Sequence, residues 1–478
     1  MLPTYRALRN ILKTVIANKA EQGHVTEGLE QTLDLLPDSY DALWALARRV
    51  ADLPLRADWP YVEPSDLDGI WAECDPSRPV GPVGKIDLAD SARRVEQAFL
   101  SSCAGCILGK PLEINPTLDE IRRALEAIGD WPMRDYISEK IAPHLPRRFH
   151  GSSPETLRQN IRYVAPDDDI NYTIMGMLIL ERGGAAFTRK DVHDLWLTHL
   201  PIWTTFGPER TVLLKAGMAG LGGAVGDADF AEWTRVLNPR EELCGALIRA
   251  DAYGYACPGR PALAAEFAWR DASFTHRRTG IYGTMFVAAA IAAAQVVRDR
   301  LEIFQIALKF VPQRSRFHRI VADSLNDVAQ AKDWLDGYYR IHGKYKEYSH
   351  CRVYQEVGTL INTLRFAQDI GDGICKQVSQ GNDTDSFGAT AGSLLGCYFG
   401  PGHLEERWLR PFNDDLHTAL AWFFDRGLSS VARRMSGLPS RIAADLGKGA
   451  AASPAAAPAA DTAGTGIASA RSPAASAG

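Results

Sequence analysis

The chain has 478 residues, 46% of them hydrophobic and 23% charged, enough to bury a large core and, by length alone, to form two or three domains. A formal charge of -5 excludes the basic footprint of a nucleic-acid binder. Eight cysteines spread over the chain without a recognisable signal peptide predict reduced thiols of a cytoplasmic protein, not a disulfide framework.

Residues 1–85 read as helices joined by proline-rich turns, an N-terminal extension packed on a main body that spans 86–446. The first twenty residues carry no acid and so resemble a targeting presequence. Leu8, Leu12, Val15 and Ile16 nevertheless mark one face of an amphipathic helix, which predicts a docked element. A second amphipathic helix is expected over 86–112, with Gly105 and Gly109 four residues apart where another backbone can approach, and it stops at Pro111. Glu113 follows directly; taken alone, such a loop acid is usually solvated. Cys103 and Cys106 lack the second cysteine pair that zinc would want, so they read as buried helix thiols.

In the segment 163–181, Pro166 ends what precedes, and Asp167, Asp168 and Asp169 occupy the cap and first turn of a helix whose apolar residues then turn inward. Capping accounts for one acid, hardly for three. Further helices are expected at 189–200, 208–220, 241–253, 261–270, 279–297, 301–311, 318–340, 356–369 and 404–436, with no run of alternating strands. The stretch 279–297 has no charge and approaches membrane-spanning length, but its alanine and glycine content predicts a central helix of a soluble bundle. Just before it, the loop 270–280 presents Ser273, Thr275 and His276; a satisfied core histidine is the plain alternative to a ligand.

The stretch GNDTDSFGATAGSLLGCYFG, 381–400, sets Asp383 and Asp385 at the mouth of a small-residue helix. Gly388, Gly392 and Gly396 recur every fourth residue and form a groove for a close-packed neighbour. Acidic oxygens fixed at the end of a buried helix suit a hard cation such as magnesium; an ordinary N-cap beside a solvated acid is the alternative. Two acid clusters, each opening a small or apolar helix, can bring five carboxylates to one site, and like charges that close need cations. The residues after 446, rich in Ala, Pro, Ser and Gly, predict a disordered tail over 447–478.

Three segments in order, AGCILGKPLE (104–113), PDDDINYT (166–173) and GNDTDSFGATAGSLLG (381–396), together resemble the ADP-ribosylglycohydrolase family, which includes the dinitrogenase reductase activating glycohydrolases. The resemblance covers about residues 90–436. It implies an all-α orthogonal multi-helix bundle with two magnesium ions, or manganese in their place, at helix ends. By the same resemblance the metal-holding set is Asp167, Asp168, Asp169, Asp383, Asp385 and Ser386. Asp167 and Ser386 stand where the family usually has threonine, and Gly105-Cys106 where it usually has Gly-Asp. Glu113, Asp168 and Asp383 take the catalytic positions; Ser273, His276 and Asn382 are the expected substrate contacts. The implied reaction is hydrolysis of an N- or O-glycosidic ADP-ribosyl bond, on a modified protein or a small molecule, releasing ADP-ribose. A hydrolase of a nucleoside or other ribosylated small molecule, and a silent crystallin-like binding protein, share the same residues.

Overall fold

The computed structural model describes residues 3–219 and 224–452; most of the expected tail lies outside them, and its first residues continue the helix Leu438–Ala452. Among the described residues the protein is all-helical, with only isolated bridges in place of a sheet.

Two helices form the axis of the bundle, Leu88–Gly109 and Thr384–Phe399, and glycine decides how near they come. A Cβ on Gly105 would meet the Gly388 carbonyl oxygen at 2.0 Å, and one on Gly392 would meet the Ser101 oxygen at 2.2 Å. The helices therefore touch backbone to backbone, and any side chain at these positions would drive them apart. Their ends are tied as well: the Thr384 hydroxyl donates to the Gly109 carbonyl at 2.8 Å. Around this pair one continuous hydrophobic core runs through the body. The alanine-rich helix Thr279–Ala294 is buried along its whole length, and no described helix is long and apolar enough to cross a membrane.

The N-terminal helix Tyr5–Glu21 buries Leu8, Leu12, Val15 and Ile16, the face its sequence marks. With residues up to Val50 it forms a smaller core that also takes in Val236 and Leu237 of the body. A buried ion pair, Lys19 to Glu241 at 3.0 Å, joins the two cores.

Several expected elements are corrected. The stretch 318–340 is two helices, Arg316–Gln330 and Trp334–Tyr345, with Asp333 capping the second. The stretch 241–253 is a 3-10 turn, Cys244–Arg249, followed by the short helix Asp251–Ala256. Residues 404–436 are largely loop, with a regular helix only at Leu428–Ser436. In each case a local cap or turn interrupts a hydrophobic pattern that continues through it.

Candidate active site

The helix Asp168–Gly183 is capped by Asp167, whose side chain accepts from the Asp169 N–H at 3.0 Å. Asp169 is buried, Asp168 is half-buried at the cleft, and the apolar residues behind them fix the helix in the core. The second acid segment arrives differently. Gly381 (φ 78°) and Asn382 (φ 62°) both take left-handed backbone, which turns the chain so that Asp383 and Asp385 enter the same cleft. A Cβ at Gly381 would meet the Pro116 oxygen at 2.1 Å, so the turn is also pressed against its neighbour. Glu113 comes from a third segment, immediately after the 3-10 turn Lys110–Leu112 that ends the axial helix. Residues distant in sequence thus meet because the two axial helices end at one place.

At the centre stands a residue that the reading of the motifs passed over. Lys110 Nζ lies 2.7 Å from Asp167, 2.7 Å from Asp385 and 2.8 Å from Glu113. Burial alone would lower the proton affinity of this ammonium, but Asp167, Asp385 and Glu113 outweigh it and hold it well above its ordinary range. Asp385 responds in kind: burial pushes its carboxyl up, and Lys110 more than reverses this, leaving it below the usual value. The other acids go the opposite way. Burial, then the neighbouring Asp167, raises Asp168 to about 7 and Asp169 well above its ordinary range. Burial, then Asp385, raises Glu113 to about 9 and Asp383 well above the carboxylate range.

These side chains offer a donor set for a divalent cation. Asp169 Oδ1 and Asp385 Oδ1 are buried and have no hydrogen-bond partner. Oxygens of Glu113, Asp383 and Asp385 lie within 4.8 Å of one another. Buried carboxylate oxygens left open beside like charges fit a hard cation that takes oxygen ligands. Ser386, whose hydroxyl donates to Asp169 Oδ2 at 3.3 Å, lines the same cleft.

Of the expected substrate contacts, Asn382 directly precedes Asp383 but is not among the residues lining the cleft, and its Nδ2 is buried and unpartnered. Ser273 and His276 do not reach the cleft. Ser273 ends the helix Pro261–Ala272, and both residues line a separate depression beside Ser65 and Asp66. His276 is buried behind the wall, its Nε2 3.5 Å from Glu209 Oε1, and only Glu209 faces the cleft. A histidine near the start of a buried helix is here a core residue.

Beyond Lys110, the sequence reading missed the far wall. Cys244 and Cys351 both donate to Asp383 Oδ2 at 3.3 Å. Glu356 braces that wall by accepting from the Cys351 N–H at 2.8 Å and the Val353 N–H at 2.7 Å. Nothing in single-sequence spacing brings these positions together. Lys110 did carry a signal: a lysine ending an apolar, glycine-bearing helix is buried only if it is paired.

Residues 87–439 match the model of the ADP-ribosylglycohydrolase family, well over half of the chain. The chain belongs to that family. A solved structure described as an "ADP-ribosylglycohydrolase-related protein complex" is similar at 20% identity and a TM-score of 0.47, covering 74% of this chain and 99% of the other. Comparison with curated proteins gives no match. As an ADP-ribosylglycohydrolase the chain is a glycosyl hydrolase of a family that acts on ADP-ribosyl bonds and is generally metal-dependent. The helix-end carboxylates are the groups of this chain that suit such a metal.

Proposed function

We propose that this ADP-ribosylglycohydrolase cleaves an N- or O-glycosidic bond at the anomeric carbon of an ADP-ribosyl group, releases ADP-ribose, and uses magnesium to do so. The observation that carries the reading is the convergence of Glu113, Asp168, Asp383 and Asp385 from three segments at one cleft, with Asp167 and Asp169 buried against its Lys110 and Ser386 and with oxygens of Asp169 and Asp385 left open.

Asp168, Asp169, Asp383 and Asp385, with Ser386 alongside, are the residues that would hold the cation. When bound, a divalent ion supplies positive charge that orients ribose hydroxyls and lowers the proton affinity of nearby carboxyls. Glu113 is the group best placed to move the reaction's proton. Its side chain is one quarter exposed at the cleft, and its carboxylate is oriented by Lys110 at 2.8 Å and by His150 Nδ1 at 3.3 Å. We assign it the role of general base toward the attacking water once a bound cation has lowered its raised proton affinity, with Asp168 and Asp383 stabilising the positive charge that develops on the sugar. Asn382 Nδ2 offers a donor to the ribose. Arg240 and His350, on the opposite wall, offer donors to the diphosphate, and Phe206 gives the rim an aromatic face.

The test is release of ADP-ribose, with magnesium or with chelator, from arginine- and serine-modified peptides and O-acetyl-ADP-ribose, with nucleosides as the competing class. Magnesium-dependent release from any ADP-ribosyl substrate supports the reading. Turnover of nucleosides alone moves the enzyme to the other class.

A further inference from the structure

The ammonium of Lys110 is held in a closely packed setting. The preceding Gly109 is pressed so closely on the second axial helix that a Cβ there would meet the Thr384 oxygen at 2.0 Å. The backbone from which Lys110 projects therefore cannot shift without parting the two helices. Nζ then reaches one oxygen on each of three carboxylates: Asp167 at the cap of one acid helix, Asp385 in the first turn of the other, and Glu113 between them. It donates a hydrogen bond to Asp385 Oδ2 and meets Asp167 and Glu113 as ion-pair contacts.

A magnesium ion bridging the same oxygens would stand about 2.1 Å from each of them. It and the ammonium cannot share the place. Thiols flank both sides, Cys106 within 4.8 Å of Asp167 and Asp169 and Cys244 and Cys351 within 4.8 Å of Asp383, so it is the ammonium that distinguishes the Asp167 side. Open oxygens remain elsewhere. Asp385 uses Oδ2 for Lys110 and keeps Oδ1 unpartnered, a carboxylate oxygen of Asp385 lies within 4.8 Å of Asp383 and Glu113, Asp169 Oδ1 is unpartnered and Asp168 faces the cleft.

We propose that Lys110 is a resident cation standing in for one of the two ions the family resemblance implies, so that this chain binds a single divalent ion on the Asp383–Asp385 side. The inference rests on the metal-centre reading above and fixes its count. The ammonium carries one charge and cannot exchange, so it joins the two acid clusters whether or not an ion is bound. It also lies against the proton-moving carboxylate, where a second exchangeable ion would otherwise sit.

The experiment loads the full-length protein with manganese and reads both the bound ions per chain and the electron paramagnetic resonance spectrum. The wild type should bind one ion and give an uncoupled signal. Lys110→Met, which removes the charge but keeps most of the stem's volume, should bind two and give an exchange-coupled signal. Lys110→Gln serves the same comparison should the methionine variant fail to fold. Any wild-type count other than one overturns the inference, and so does a variant that stays at one. A count of zero in both proteins also overturns the metal-centre reading, so the two failures are told apart.

Discussion

Two buried ionic clusters lie close together in this protein, and they are built on opposite plans. Around Arg249 the donors and acceptors close on one another. The guanidinium donates to Asp271 at 2.6 Å, Glu209 at 3.2 Å, the Gly245 carbonyl at 2.9 Å and the Thr275 hydroxyl at 2.8 Å, and it stacks 4.9 Å from the Trp196 ring centre. Tyr253 donates to the remaining Asp271 oxygen. Around Lys110 a single cation faces six acids, Glu113, Asp167, Asp168, Asp169, Asp383 and Asp385, and buried oxygens of Asp169 and Asp385 are left without donors. A network that serves the fold satisfies its members, because an unpaired buried polar group costs about 1–3 kcal/mol. What sets the Lys110 cluster apart is the excess of carboxylates over cations, which leaves room for a further positive charge.

The comparison breaks first on activity. Glu113→Gln should keep ADP-ribose binding and lose turnover by about 10²- to 10⁴-fold, the usual cost of removing a general base. Single-turnover rates and ADP-ribose titrations check this, and wild-type rates in the variant would remove Glu113 from the reaction. On the closed side the large effect should be on stability. Arg249→Met leaves Glu209 and Asp271 buried without their partner and should cost about 3–5 kcal/mol in chemical denaturation, the same with magnesium as with chelator.

Much of the open cluster was legible because its acids violate an ordinary pattern: three aspartates open an apolar helix and two more open a glycine-striped one. The glycine spacing gave the close contact of the axial helices for the same reason, since a period of four leaves few other readings. What stayed hidden depends on distance in the fold. Cys244, Cys351 and Glu356 reach Asp383 through turns with no repeat to mark them, and Cys351 and Val353 themselves take left-handed backbone at φ 65° and 60°. Ser273 and His276 lie away from the cleft, and a polar loop before a buried helix looks alike in sequence whether it faces a cleft or a core. Lys110 was written in the first motif, yet its meaning emerged only when three carboxylates were found around it.

A third buried acid sharpens the contrast because it has hydroxyl partners and no cation. Asp251 accepts from Ser393 in the core, and burial raises its carboxyl to about 7. The folded state thus holds this proton more tightly than the unfolded chain, whose aspartates titrate near 3.9. The resulting stability is full below about pH 4 and is lost as pH rises to about 7, by roughly 4 kcal/mol at most. Asp251→Asn should flatten that part of the stability profile, measured as the wild-type minus variant difference across pH 4–8. A difference that does not change with pH would mean that Asp251 ionises in place.

Magnesium itself gives the smallest effect and the most direct comparison of the two clusters. A ligand that binds only the folded state at a hundred times its dissociation constant adds about 2.7 kcal/mol of stability. That gain should appear for the wild type in melting curves with magnesium against chelator, and Arg249→Met should keep it despite its lower baseline. Asp168→Asn and Asp383→Asn should each lose most of it, although they sit in different motifs, because both contribute to one centre. Removal of an ordinary helix cap would instead cost about 1 kcal/mol with or without the ion. Protons compete for the same oxygens. With Asp168 raised to about 7, the magnesium-dependent shift should shrink as pH falls through about 7. A shift lost in only one of the two aspartate variants would separate the acid clusters into independent sites, and a shift absent from the wild type would leave the open oxygens of Asp169 and Asp385 without the occupant proposed for them.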